Sequence, residues 1–103
     1  MLPDELLEDA ARRFALLGDP TRLRLVRELH ASGELTVGAL AARAGTTLAN
    51  ASQHLLRLAA DGVVGRRRAG KSVVYRIVDP RLEQLCDVAC ASIRERAQSR
   101  PAA

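Results

Sequence analysis

A chain of 103 residues with 48% apolar content suits one compact domain with its own core, and excludes global disorder. Phe14 and Tyr75 are its only Phe, Tyr or Trp residues, which disfavours RNA and single strands, since those ligands stack their bases on aromatic rings. A net charge of +4 at pH 7 favours an anionic partner.

Residues 3–17 are predicted as a first helix. Leu6, Leu7, Ala10, Phe14 and Leu17 recur at helical spacing, Pro3 suits an opening turn, and Gly18 ends it. Asp19 and Pro20 restart the chain as cap and first helical residue, giving a second helix from residue 20 to about residue 31. Its RLRLVREL segment alternates over four residues as a strand would. The cap, the length and the scarcity of β-branched residues favour helix. Ser32 and Gly33 break it. A short third helix spans residues 36–44, with Thr36 as cap and Val37, Leu40 and Ala41 inward; Gly45 closes it. Thr46 or Thr47 then caps a fourth helix that ends at Gly62.

Residues 63–68 and 71–78 read as paired strands around Ala69 and Gly70. Two strands alone are marginal, so the hairpin must lean on the helices. Asp79 and Pro80 repeat the cap-and-proline start and open a fifth helix to about residue 97, with a tail over 98–103 expected to fray. The chain thus reads as a single domain over 1–103, with its core over about 3–97. It is mainly α: four helices, a two-stranded β-hairpin and a fifth helix.

The chemistry concentrates in residues 46–75. Asn50, Gln53, His54 and Arg57 fall at i, i+3, i+4 and i+7 and share one helix face, while Leu48, Ala51, Leu55, Leu58 and Ala59 share the other. The apolar side holds the helix, and the hydrogen-bonding side can read base edges. The hairpin adds Arg66, Arg67, Arg68 and Lys71, the charge that phosphates attract. This is a winged helix-turn-helix pattern, and double-stranded DNA is the expected partner. Thr47, Asn50, Gln53, His54 and Arg57 are expected at the bases, with Thr46 and Ser52 reaching phosphates or capping the helix. Capping alone is the alternative for Thr47, and packing for His54.

Both terminal helices carry apolar stripes, and a small interior has limited room for them; the alternative is that both stripes fold back onto one core within a monomer. Leu6 and Leu7 on the first, with Leu82, Leu85, Cys86, Ala89 and Ile93 on the last, are expected to form a homodimer interface. A two-fold dimer sets two recognition helices one DNA turn apart, roughly 34–36 Å, and matches an inverted-repeat operator. No run approaches the roughly 20 apolar residues of a membrane span, and the opening MLPDELLEDAARR lacks a signal-peptide segment. No membrane partner and a cytoplasmic location are expected, with both cysteines reduced.

Four segments, in order, resemble the ArsR/SmtB group of bacterial winged-helix repressors. Residues 15–25, ALLGDPTRLRL, are similar to that family's LGDPTRLRIL, and residues 34–41, ELTVGALA, to its ELCVGDLA. Residues 50–55, NASQHL, resemble its VSQHL core, and residues 62–68 and 74–76 resemble its wing. The resemblance implies a bacterial homodimeric repressor that leaves its operator when an inducer binds. The cysteine segment of the family's arsenic, cadmium and lead sensors matches residues 34–40, where Thr36 and Gly38 stand at the thiolate positions and supply no soft ligand. On the last helix of its zinc, cobalt and nickel sensors, Asp79 and Glu95 match carboxylate positions, but Arg81 and Ser92 stand where histidines would. No metal site is therefore assigned.

Cys86 and Cys90 remain as a candidate sensor. They lie one helical turn apart, and two chains would gather four thiols, suited to a soft metal, a metalloid or an oxidant. Packing as small hydrophobes is the alternative. The sequence holds no nucleophile motif, phosphate loop or metal triad, so no catalytic residue is assigned and an enzyme is not expected. Two further readings stay open: a winged-helix protein-interaction module that binds no operator, and a DNA-binding regulator without a small inducer.

Overall fold

The protein is described by a computed structural model covering residues 2–99. Its elements are α1 (Asp4–Leu17), α2 (Pro20–Ser32), β1 (Glu34–Thr36), α3 (Val37–Ala44), α4 (Leu48–Ala60), β2 (Val64–Ala69), β3 (Ser72–Ile77) and α5 (Leu82–Gln98). The caps fall where side-chain chemistry places them. Asp19 accepts the N–H of Arg22 at 2.9 Å, with Pro20 in the first turn, and Thr36 accepts the N–H of Ala39 at 3.2 Å. Each satisfies a backbone donor that a helix start leaves unpaired.

The core forms where α2, α3 and α4 meet. Leu25, Val26 and Leu29 from α2, Leu40 from α3, and Ala51, Leu55 and Leu58 from α4 are all within 1% of complete burial. Val63, Val64 and Tyr75 extend this core onto the sheet, so the hairpin rests on the helices and is not a free ribbon.

The sheet has one strand more than the expected hairpin. Its order is β1-β3-β2, antiparallel throughout, with Leu35 opposite Tyr75 in β1·β3 and Arg66 opposite Tyr75 in β2·β3. β1 is three residues long, too short for a period of two to show against the helices around it. It covers an edge of β3 that would otherwise stand open.

Three further expectations change. Leu48, read as inward, is 57% exposed: it is the first residue of α4, one turn before the helix reaches the core. Leu82, assigned to a dimer face, is 1% exposed and belongs to the core of this chain. The fifth helix starts at Leu82, because Asp79 spends its carboxylate on the N–H of Arg81 (3.0 Å) in a turn that precedes the helix. Of the expected tail, Gln98 closes α5, and residues 100–103 lie outside the described ones.

Candidate nucleic-acid interface

The helix-turn-helix is α3, a tight turn and α4. Gly45 ends α3 with φ +68°, a left-handed conformation that an L side chain resists, and its N–H meets Ala41 and Ala42 carbonyls. Thr47 caps α4 by accepting the N–H of Asn50 at 3.1 Å. With Ala51, Leu55 and Leu58 fully buried, α4 is fixed in rotation, and that fixes what its far side presents.

Gln53 and Arg57 lie exposed on that far side, with no hydrogen-bond partner among the described residues. Asn50 is half-buried, and its amide donates to Thr46 Oγ1 at 2.7 Å. Thr46, Thr47 and Asn50 are therefore tied together at the helix start, and Asn50 keeps its carbonyl oxygen to offer. Ser52 is half-buried.

His54 is neither free nor simply packed. Its Nδ1 accepts a hydrogen bond from Arg22 Nε at 3.0 Å, and Arg22 Nη1 donates to the Leu16 carbonyl at 2.9 Å. Sequence reasoning passed over Arg22. The signal was there in the PTRLR segment, but nothing local shows that an α2 side chain reaches α4.

The chain passes from α4 to the wing through Asp61 and Gly62, with Val63 N–H bonded to the Leu58 carbonyl at 2.9 Å. In β2 the arginine run divides by alternation. Arg66 and Arg68 lie opposite Tyr75 and Val73 on one sheet face, while Arg67 lies opposite Val74 on the other. Arg66, Arg68 and Lys71 are exposed and meet no carboxylate among the described residues. Arg67 does meet one: Nη2 lies 2.6 Å from Glu34 Oε2 and Nε 3.2 Å from Glu34 Oε1, a two-pronged clasp across β3. That clasp holds the Glu34 carboxyl below its ordinary pKa.

Another arginine works at the opposite end of α4. Arg13 of α1 donates to Asp61 Oδ2 at 2.8 Å, to the Asp61 carbonyl at 3.2 Å and to Asp79 Oδ2 at 2.7 Å. It joins α1, the C-terminus of α4 and the link into α5. Asp79 is thus committed to Arg13 and the Arg81 N–H.

Of the residues expected at a dimer face, Leu6, Leu7, Leu85, Ala89 and Ile93 are exposed and Cys86 is half-buried. Cys86 and Cys90 are free thiols bordering a cavity of about 360 Å³ between α2 and α5, with His30 and Glu83 on its walls. Burial, and then the neighbouring Cys90, Asp87 and Glu83, push the Cys86 thiol pKa up. Among the described residues no three His, Cys, Asp or Glu side chains converge as metal ligands would. Among those residues, too, no helix is long and apolar enough to cross a membrane.

A family profile described as a helix-turn-helix domain matches residues 17–66. The chain is 36% identical over 87 residues to the cadmium resistance transcriptional regulatory protein CadC homolog of Staphylococcus aureus, covering 84% of this chain and 72% of that one. It is similar in structure to the AntR antimony-specific transcriptional repressor, with TM-score 0.82 and 32% identity, over 96% of this chain and 89% of that one. It is also similar to a homodimeric winged helix-turn-helix DNA-binding domain from Mycobacterium bovis, with TM-score 0.81 and 30% identity, over 96% and 91% of the two chains.

Proposed function

The chain belongs to the ArsR/SmtB family of winged helix-turn-helix transcriptional regulators, and on that premise we propose that it works as a homodimeric repressor of an inverted-repeat operator. DNA binding itself follows from the family; the operator, the dimer and the residue roles are the proposal. One observation carries it. The buried side of α4 fixes the rotation of the helix, and the opposite side holds Gln53 and Arg57 out with no protein partner among the described residues. An amide suits adenine and a guanidinium suits guanine in the major groove. Arg66, Arg68 and Lys71 supply phosphate contacts from the wing. The regulators that the chain resembles are not enzymes, and no catalytic role is proposed.

The test is selection from a random duplex pool by the purified chain. Enrichment of an inverted repeat with half-sites about one helical turn apart supports the reading. No enrichment, together with no salt-dependent duplex binding, removes it and favours a protein-interaction module.

An inducer site at Cys86 and Cys90 is a second part of the proposal. The two thiols lie one turn apart on α5, and a partner chain would contribute two more. Metal binding and oxidation both need the thiolate, so the raised pKa of Cys86 favours neither over the other. Two similar proteins, a cadmium resistance regulator homolog and an antimony-specific repressor, are named for soft elements, which favours a soft metal or metalloid. Titrating the reduced protein with either ion should produce thiolate charge-transfer absorption and release a bound duplex. Neither effect, or both persisting in a Cys86→Ser, Cys90→Ser double variant, retires the sensor and leaves a regulator without a small inducer.

A further inference from the structure

Arg22 and His54 come from the two segments that most identify the chain, residues 15–25 and 50–55, and the fold brings them together. Arg22 Nε lies 3.0 Å from His54 Nδ1. A guanidinium has hydrogens to give and no lone pair to receive, so the nitrogen that faces it must carry the lone pair. The imidazole proton then sits on Nε2. Arg22 is well placed to hold this arrangement, because it is itself held. Nη1 donates to the Leu16 carbonyl at 2.9 Å, and its backbone N–H is capped by Asp19 at 2.9 Å. His54 Nε2 has no protein partner among the described residues, and the ring borders a surface hollow with Gln53, Leu56 and Arg57.

We infer that Arg22 sets His54 as a fixed hydrogen-bond donor, Nε2–H outward, for an acceptor on DNA, and that Arg22 is therefore a positioning residue of the recognition helix. The inference rests on the DNA-binding reading of α4. It adds a polarity to His54: with Nδ1 taken by Arg22, the ring gives a hydrogen bond to DNA and does not take one from it. The acceptor class is a purine N7, guanine O6, thymine O4 or phosphate oxygen. It also explains what an α2 arginine does for a site on α4 that it does not itself occupy.

The experiment has a spectroscopic arm and a binding arm. A long-range proton–nitrogen correlation spectrum of the full chain should show His54 in one tautomer, protonated at Nε2. Arg22→Met should give averaged ring shifts, and Arg22→Lys, which keeps a donor, should restore the single form in part. A wild-type ring protonated at Nδ1 overturns the inference without any DNA. For binding, the probe is the duplex selected by the wild-type chain. An Asn amide takes the place of Nδ1 and a Gln amide that of Nε2, so the two variants separate the roles. His54→Gln should stay within about threefold of wild type, while His54→Asn and Arg22→Met should each lose about tenfold, the worth of one hydrogen bond. A loss confined to the selected sequence places the acceptor on a base edge. An equal loss on all duplexes places it on a phosphate. Asn and Gln variants that bind alike overturn the donor assignment. If the wild-type chain selects no duplex at all, the functional reading has failed, and the tautomer spectrum still judges the Arg22–His54 pair.

Discussion

Arg67 shows how little of a charge run can be read from its letters. The sequence groups Arg66, Arg67 and Arg68 as one phosphate-binding set, but strand alternation puts Arg67 on the face where Glu34 already holds it. Both partners are substantially exposed, so the pair contributes little to stability. Its consequence is for binding, because a carboxylate that occupies both prongs of a guanidinium stands where a phosphate would. Glu34→Gln should tighten binding to every duplex by roughly threefold to tenfold and steepen the logarithmic salt dependence by about one unit, as one more phosphate is neutralised. The gain should vanish in an Arg67→Ala background. A gain that persists there would assign the effect to net charge alone. Gln53 calls for the opposite signature. Gln53→Ala should narrow the gap between the selected duplex and random duplexes by about 1–3 kcal/mol while leaving the salt slope unchanged. Equal losses on both duplexes would remove Gln53 from the base-reading set.

The elements depend on a few residues at their ends. Gly45 turns α3 into α4 at φ +68°, and a Cβ placed there would meet nothing within 4 Å. The cost of Gly45→Ala is therefore backbone strain alone, about 1–2 kcal/mol by thermal melting. Arg13 ties three elements, and Arg13→Met should destabilise the fold by about 1–2 kcal/mol. It should also change the acid limb. The Asp79 carboxyl is held below its ordinary pKa first by the Arg81 N–H and then by the Arg13 guanidinium. A depressed carboxylate stabilises the fold above its unfolded pKa of about 3.9 and loses that contribution as pH falls through the lower folded value. Urea midpoints should thus fall below about pH 4 in the wild type, and the fall should be shallower in Asp79→Asn. A drop of equal size in both would clear Asp79 of the acid limb. The five helices were legible in the sequence because periodicity and caps are local. The exposure of Leu48, the three-residue β1 and the late start of α5 were not, since each depends on where distant residues pack. The outward exposure of Gln53 and Arg57 on α4 was legible from helical spacing alone. The placement of His54 and Asn50 was not, since their side chains are engaged by Arg22 and Thr46.

At the scale of the whole molecule, the excess lies at the two ends of the chain. The Cα radius of gyration is 15.6 Å, against about 13 Å for a compact chain of this length. Of α1 only Leu17 is buried, and of α5 only Leu82. Phe14 is 58% exposed, Val88 67% and Ile93 69%, on helices that stand out from the shared core. Large apolar side chains left in water over two adjoining helices mark a surface meant to be covered. In the proposed dimer a second copy would cover it with the same surface and, by its two-fold axis, would also set two copies of α4 against one face of a duplex. Ile93 separates dimerisation from folding, because it is exposed while Leu82 on the same helix holds the chain's own core. Ile93→Asp should leave helicity by circular dichroism intact, sediment as a monomer at micromolar concentration, and lose most of its affinity for an inverted repeat while still binding a half-site weakly. A wild-type chain that already sediments as a monomer would contradict the dimer. A variant that stays dimeric would move the interface off this part of α5, towards Leu6 and Leu7 on α1.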